Sequence, residues 1–244
     1  MISLIYSSFK SGSCTLFEIL TNNDITSGIW INNYTNPYVK DNFVLKCHID
    51  NIKLSGTIND FNTLCKTSIK IDVIFIIIRN PDQIYKSGYF QDFEKKEYDY
   101  YFNTKDYILQ LNDTTELVEH YNSINWNKYV HMNQKLGLKN ISEYTGIDLL
   151  NSDFDKQSGY SIYDNGKIKV CILDIKLFND RSRMAVVLGK LGYDKQIIEG
   201  CYKASNGNIA STKWYSSIYD KFKNDDRVIN KLSDDDKFII DKYL

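Results

Sequence analysis

The sequence predicts an α/β protein built on a mainly parallel sheet, and three observations predict it. Three strand-like apolar runs, residues 2–6, 42–45 and 73–78, each lead into a basic residue: Lys10, Lys46 and Arg79. Segments of helical periodicity separate them. Strands that alternate with helices are joined by crossovers, which make parallel neighbours. The C-terminal ends of such strands share one sheet edge, the edge at which these sheets bind ligands. Lys10, Lys46, His48 and Arg79 are therefore expected to converge on one small volume suited to a compact polyanion.

Each element follows from its residues. Residues 2–6 read as a short buried strand. Ser13 is placed to cap a helix running to about Asn22, with Leu16, Phe17, Ile19 and Leu20 on its apolar side. Residues 22–41 read as loop, and residues 43–47 as the second strand. Thr57 is a candidate cap for a short helix over residues 58–67. Residues 71–78 are β-branched and continuous, as in a strand covered on both faces. Asn80-Pro81 starts the next helix, because Asn caps and Pro loses no hydrogen bond at the first helical position. That helix runs through Ser87 to about Glu94. Residues 93–102 form a crowded aromatic and charged stretch.

Further along, residues 114–136 read as mostly helical, with Leu117, Val118, Tyr121, Ile124 and Trp126 inward. Residues 141–144 continue as a short helix that Gly146 ends. Residues 159–163 and 167–174 read as a hairpin joined at Asp164-Asn165-Gly166, since Asn-Gly favours the tight turn. Residues 181–191 form a helix stopped by Gly192. Residues 211–223 and 234–243 give two more helices.

Composition bounds the class. A chain of 244 residues is one large domain or two small ones. Its 43% hydrophobic and 25% charged residues are ordinary for a soluble globular protein. With 30 Lys and Arg against 31 Asp and Glu, it lacks the basic excess of a general nucleic-acid binder. Any convergence of cations must be local. Cys14, Cys47, Cys65, Cys171 and Cys201 are odd in number and contain no CxxC pair. They fit a reduced compartment rather than a disulfide framework or zinc site. The N-terminus lacks the basic and apolar regions of a signal peptide. No run approaches the ~18 apolar residues that a membrane span needs. The expectation is a cytoplasmic protein with no membrane span, although a chain trimmed of an N-terminal anchor reads the same.

The chemistry lies in the segments after the strands. A strand, a Ser/Gly turn and a helix make a phosphate cradle: backbone N–H groups face the anion and the helix dipole favours it. The loop is not a Walker A motif, because Lys10 precedes the only glycine in Lys10-Ser11-Gly12-Ser13. Phe9-Lys10-Ser11-Gly12-Ser13-Cys14 instead resembles the PKSGTT loop of the sulfotransferases. Arg79-Asn80-Pro81 with Ser87 and Tyr89 resembles that family's RNPxDxxxSxY signature, and Lys46-Cys47-His48 resembles its KTH segment. Three motifs stand in the family's order, each after a strand. The later segments 144–148, 159–163 and Lys213-Trp214-Tyr215, with Tyr219 and Phe222, resemble sulfotransferase-like capsular polysaccharide synthesis proteins.

The resemblance implies a single domain over residues 1–244 with a three-layer, P-loop-like architecture. It implies transfer of a sulfuryl group from 3′-phosphoadenosine 5′-phosphosulfate (PAPS) to a hydroxyl of a small-molecule or glycan acceptor. The product nucleotide is 3′-phosphoadenosine 5′-phosphate (PAP), and no metal is required. Ser11, Gly12, Ser13, Cys14 and Thr15 are implied to cradle the 5′-phosphate, with Lys10 near the bridging oxygen. Arg79 and Ser87 are implied to hold the 3′-phosphate. His48 is implied as the base and Lys46 as a stabiliser of the sulfuryl oxygens. The sequence departs from the family in several places. Phe9 replaces the loop's Pro, Ser13-Cys14 replaces Thr-Thr, Asp82 stands one place early, and the RKGxxGDWK loop is missing. Residues 206–213 stand where that loop is expected. Two other readings stay open: a non-catalytic nucleotide-binding protein of the same fold, and an ATP-dependent kinase of atypical loop sequence.

Taken singly, several candidates have plain structural readings. His120 and His131 have no partner in the sequence pattern and read as structural or surface residues. Tyr85, Tyr89, Phe90 and Phe93 either line an acceptor pocket or pack a helix. Trp214 and Tyr215 read as core, and residues 94–97 as a solvated face.

Overall fold

The computed structural model describes residues 1–8, 11–21, 27–30, 43–48, 54–65, 68–94, 113–126, 129, 132–203, 216–229 and 232–244. Lys10, His131, most of residues 93–102 and all of 206–215, including Lys213, Trp214 and Tyr215, lie outside them. The described chain is α/β. A six-stranded sheet has the order β2-β3-β1-β4-β6-β5. Its strands are β1 (Ile2–Ser7), β2 (Ser27–Trp30), β3 (Phe43–His48), β4 (Val73–Ile78), β5 (Tyr160–Asp164) and β6 (Lys169–Asp174). All are parallel to their neighbours except β5, which pairs antiparallel with β6.

The sheet is apolar on both faces, and alternate residues sort themselves between the two. From β4, Ile74, Ile76 and Ile78 join one core, while Val73, Phe75 and Ile77 join the other. The first core is covered by α2 (Leu54–Cys65), α5 (Gln134–Thr145) and α9 (Asp234–Tyr243). The second is covered by α1 (Ser13–Thr21), α6 (Arg181–Leu191) and α7 (Lys195–Lys203). A third, aromatic cluster sits beside the sheet. It joins α3 (Pro81–Glu94), α4 (Thr115–Ser123) and α8 (Ser216–Lys223) through Tyr85, Tyr89, Phe90, Tyr121, Trp126 and Phe222. Tyr85 stacks on Trp126 at 5.3 Å and Tyr89 on Phe222 at 5.6 Å. These rings pack a helix core. Among the described residues, no helix is long and apolar enough to cross a membrane.

Several elements differ from the sequence expectation. The stretch 22–41 holds a strand, β2, at the sheet edge. It is only four residues long and contains Gly28, so it carries almost no strand signal. A Cβ at Gly28 would lie 2.2 Å from Cζ of Phe17, so a side chain there would have to displace that ring. Helix α2 begins at Leu54, which puts Thr57 inside it rather than at its cap. The helical stretch 114–136 breaks after Ser123, where Ile124 is extended. The next α-helix among the described residues starts at Gln134 and runs unbroken to Thr145, where Gly146 closes it in the left-handed conformation at φ 75°. A 3-10 turn, Ile175–Asn179, and α7 are additional. The hairpin of β5 and β6, the Asn80-Pro81 helix start and the Gly192 stop stand as expected. Gly192 has φ 89°.

Candidate functional site

The C-terminal edge of the parallel strands gathers four segments. In the sheet register Ser7, the last residue of β1, stands opposite His48, the last of β3. Ile78, the last of β4, stands opposite Asp174, the last of β6. The loop after β1, the β4–α3 corner and the β6–α6 connection therefore leave the sheet side by side.

The loop after β1 closes tightly. The backbone N–H and the hydroxyl of Ser11 both donate to the Ser8 carbonyl, at 3.3 and 2.8 Å. Gly12 has φ 95°, a left-handed conformation that side chains strain to adopt. Its missing Cβ also matters, because a methyl group there would lie 2.8 Å from the Phe178 ring. Gly12 then accepts the first helical hydrogen bond, from Leu16 N at 3.2 Å, and α1 begins. Ser7 and Ser8 are fully buried, and their hydroxyls have no hydrogen-bond partner among the described residues. Ser13 is buried at the N-terminus of α1 and Thr15 lies in its first turn.

Lys46 is placed differently from Arg79. Its side chain leaves β3 on the α1 face and is fully buried. Its ammonium donates to Sγ of the exposed Cys14 at 2.9 Å. Burial pulls the lysine below its ordinary pKa, and the Cys14 contact opposes that. His48 closes β3, and its side chain lies outside the described part of the structure.

Arg79 stands one residue beyond β4. The side chain of Gln134, the first residue of α5, brackets its backbone. Arg79 N donates to Oε1 of Gln134 at 2.7 Å, and Nε2 donates to the Arg79 carbonyl at 2.7 Å. The Arg79 guanidinium donates from Nε to Oε1 of Gln83 at 3.4 Å. Burial pulls the guanidinium pKa down, and the neighbouring Tyr219 phenol opposes it. Asn80 shapes the corner: its Oδ1 accepts from Asp82 N at 3.0 Å, and its carbonyl accepts from Ile84 N at 3.1 Å.

These segments line a cleft of about 610 Å³. Its walls are Gly12 and Thr15, then Arg79, Asn80 and Gln83, then Asp174–Lys176 with Phe178 and Asn179, and finally Leu244. The structure thus brings Gly12, Thr15 and Arg79 together, with Ser11 and Ser13 adjoining on the same loop. Cys14 and Lys46 pair beside that loop and are not among the lining residues. Ser87 is half-buried one helical turn beyond Gln83, and it too is outside the lining.

A helix N-terminus, a glycine turn and a guanidinium on one cleft all favour an anion. Asp174 works the other way. It is buried and carries a carboxylate into the same cleft. Its charge is partly engaged: it accepts from Lys176 N at 2.9 Å and lies 3.6 Å from the Lys176 ammonium. Among the described residues, no group of His, Cys, Asp and Glu is arranged to hold a metal ion.

Sequence reasoning missed Asn80 and Gln83 as cleft residues, and it missed the wall formed by residues 174–179. It also missed Gln134, 55 residues from Arg79 in the chain. Asp174 was readable only as the end of a strand. No protein-family model and no curated protein matches this chain.

Proposed function

We propose that this cleft binds PAPS and that the chain is a sulfotransferase acting on a hydroxyl acceptor, with a carbohydrate as the acceptor class. The proposed architecture is the P-loop-like three-layer arrangement of that family. One observation carries the reading. The glycine turn after β1 and the Arg79 corner after β4, which resemble two separate family signatures 67 residues apart counted from Gly12 to Arg79, open on one cleft.

PAPS supplies the sulfuryl group and leaves as PAP. The chain's own residues position the reactants and balance charge. Backbone N–H groups from Ser11 to Thr15 hold the 5′-phosphate, and Lys10 stabilises the departing phosphate oxygen. Arg79 holds the 3′-phosphate through its forked donors, with Ser87 assisting. His48 takes the acceptor's proton as the new O–S bond forms. Its ordinary pKa of ~6.5 suits that task near neutral pH. Lys46, buried against Cys14, would have to turn toward the cleft to reach the sulfuryl oxygens.

Asp174 favours a second reading. A carboxylate at a strand end beside a phosphate loop is also what a magnesium–nucleotide site uses. Calorimetric titration with PAP, AMP and ATP–Mg²⁺ separates the two. Tight binding of PAP with weak AMP and ATP–Mg²⁺ supports the sulfotransferase. Arg79→Ala should then weaken PAP at least ~10-fold, while AMP changes little, because only PAP carries the 3′-phosphate. Binding of ATP–Mg²⁺ in preference to PAP supports the kinase. Equal losses for PAP and AMP would remove Arg79 from its assigned role.

A further inference from the structure

We propose that Gln134 is a positioning residue for Arg79: its side-chain amide extends the sheet by one residue and holds Arg79 ready for the anion. This rests on the sulfotransferase reading of the cleft.

The pairing of β4 with β1 covers Val73–Phe75, and its pairing with β6 ends at Ile78 opposite Asp174. Arg79 is therefore the first residue outside both ladders. Its N–H and C=O both find partners in the side chain of Gln134. A Gln side chain carries a carbonyl acceptor and two N–H donors, so it offers what a peptide group offers and one donor more. Gln134 uses them on the N–H and the C=O of the one residue, both at 2.7 Å. Gln134 is 2% exposed, so water does not compete for these bonds.

The amide is held from behind. Asn133 caps α5 by accepting from Leu136 N at 2.9 Å and also donates to Asp235 at 3.0 Å. Lys135 donates to the same carboxylate at 2.8 Å. Both neighbours of Gln134 are thus tied to the start of α9. Helix α3, which follows Arg79, is tied to the same helix through Tyr85 and Asp236, at 2.8 Å. The two sides of the clamp share one anchor. Fixing the Arg79 backbone fixes the direction in which its long side chain leaves the sheet edge. A flexible arginine loses rotamer freedom when it binds, and a pre-directed one loses less.

The test is a double-mutant cycle on the full chain, read by calorimetry with PAP and AMP. Gln134→Met keeps the volume and removes both hydrogen bonds. PAP affinity should fall ~10-fold, the scale on which loss of a supporting contact weakens a binding group, while AMP affinity holds. In an Arg79→Ala background the same substitution should cost PAP nothing further, because Gln134 acts only through Arg79. Gln134→Glu at pH 5 provides rescue: a buried protonated carboxyl keeps one donor and one acceptor and should retain the wild-type ratio of PAP to AMP affinity at that pH. This variant also serves if Gln134→Met does not fold. An unchanged PAP affinity in Gln134→Met, an equal loss for AMP, or a full further loss in the Arg79→Ala background overturns the inference. Failure of the wild-type chain to bind PAP overturns the function itself, and the inference with it.

Discussion

Lys46 is the residue whose chemistry is most constrained by its surroundings. Its ammonium loses hydration on burial and donates to the Cys14 thiol at 2.9 Å, and burial outweighs that contact in setting its pKa. The sign of the consequence is determined. With its folded pKa lowered, Lys46 opposes folding wherever it is charged in both states. The opposition fades as pH rises from the folded value toward the unfolded 10.5. Lys46→Met should therefore raise stability at pH 7, by about 1 kcal/mol on the scale for removing a polar group from a buried site. Urea unfolding at several pH values checks this. The advantage of the variant should shrink as the pH approaches 10.5, and an advantage independent of pH would contradict the account.

At the scale of elements, the cleft depends on how α3, α5 and α9 meet. The capping box of α9 joins Ser233 and Asp236, and the Asp236 carboxylate also receives the Tyr85 hydroxyl from α3. Tyr85 and Asp236 are both nearly buried. Burial first, and then Asp236, push the Tyr85 phenol far above its ordinary pKa, so it stays a donor across the physiological range. Tyr85→Phe removes that donor and leaves the carboxylate with two bonds from Ser233. The loss should be about 2 kcal/mol, as for hydrogen bonds to charged groups. Chemical denaturation measures it directly. A loss below ~0.5 kcal/mol would mean that α3 and α9 are held by ring packing alone.

For the whole molecule, the sheet is the frame at whose edge the loop after β1, the Arg79 corner and the segment after β6 meet. Strand β4 is buried along its full length between β1 and β6. Ile76 at its centre lies in the core beneath α5 and α9 and is completely inaccessible. Ile76→Ala should cost about 4 kcal/mol, from lost transfer energy and the cavity left behind. That is a large part of the 5–15 kcal/mol typical of a whole domain, roughly speaking. Thermal unfolding should show a drop of several degrees or more, roughly in proportion to that loss. A shift near zero would show that the two helices collapse into the space.

The sequence by itself determined the alternating α/β order, the central strands β1, β3 and β4, the hairpin at Asn165-Gly166 and the starts and stops at Pro81, Gly146 and Gly192. Each rests on local physics: apolar continuity, turn chemistry, or a glycine's access to positive φ. It also marked Gly12, Thr15 and Arg79 as residues that belong together. Tertiary structure alone decided what those signals leave open. The edge strand β2 exists because β3 offers it a partner and the Phe17 ring stands where a side chain at Gly28 would point, and its own four residues say nothing of either. The helix through Gln134 starts where it does because Asn133 finds Asp235 and Gln134 finds the Arg79 backbone, more than 50 positions away in each case. Lys46 reads in sequence as a strand-end cation like Arg79, yet the pleat turns it onto Cys14 and into the core. Periodicity and turn residues report on near neighbours in the chain. Which buried polar group meets which is settled only when distant segments pack.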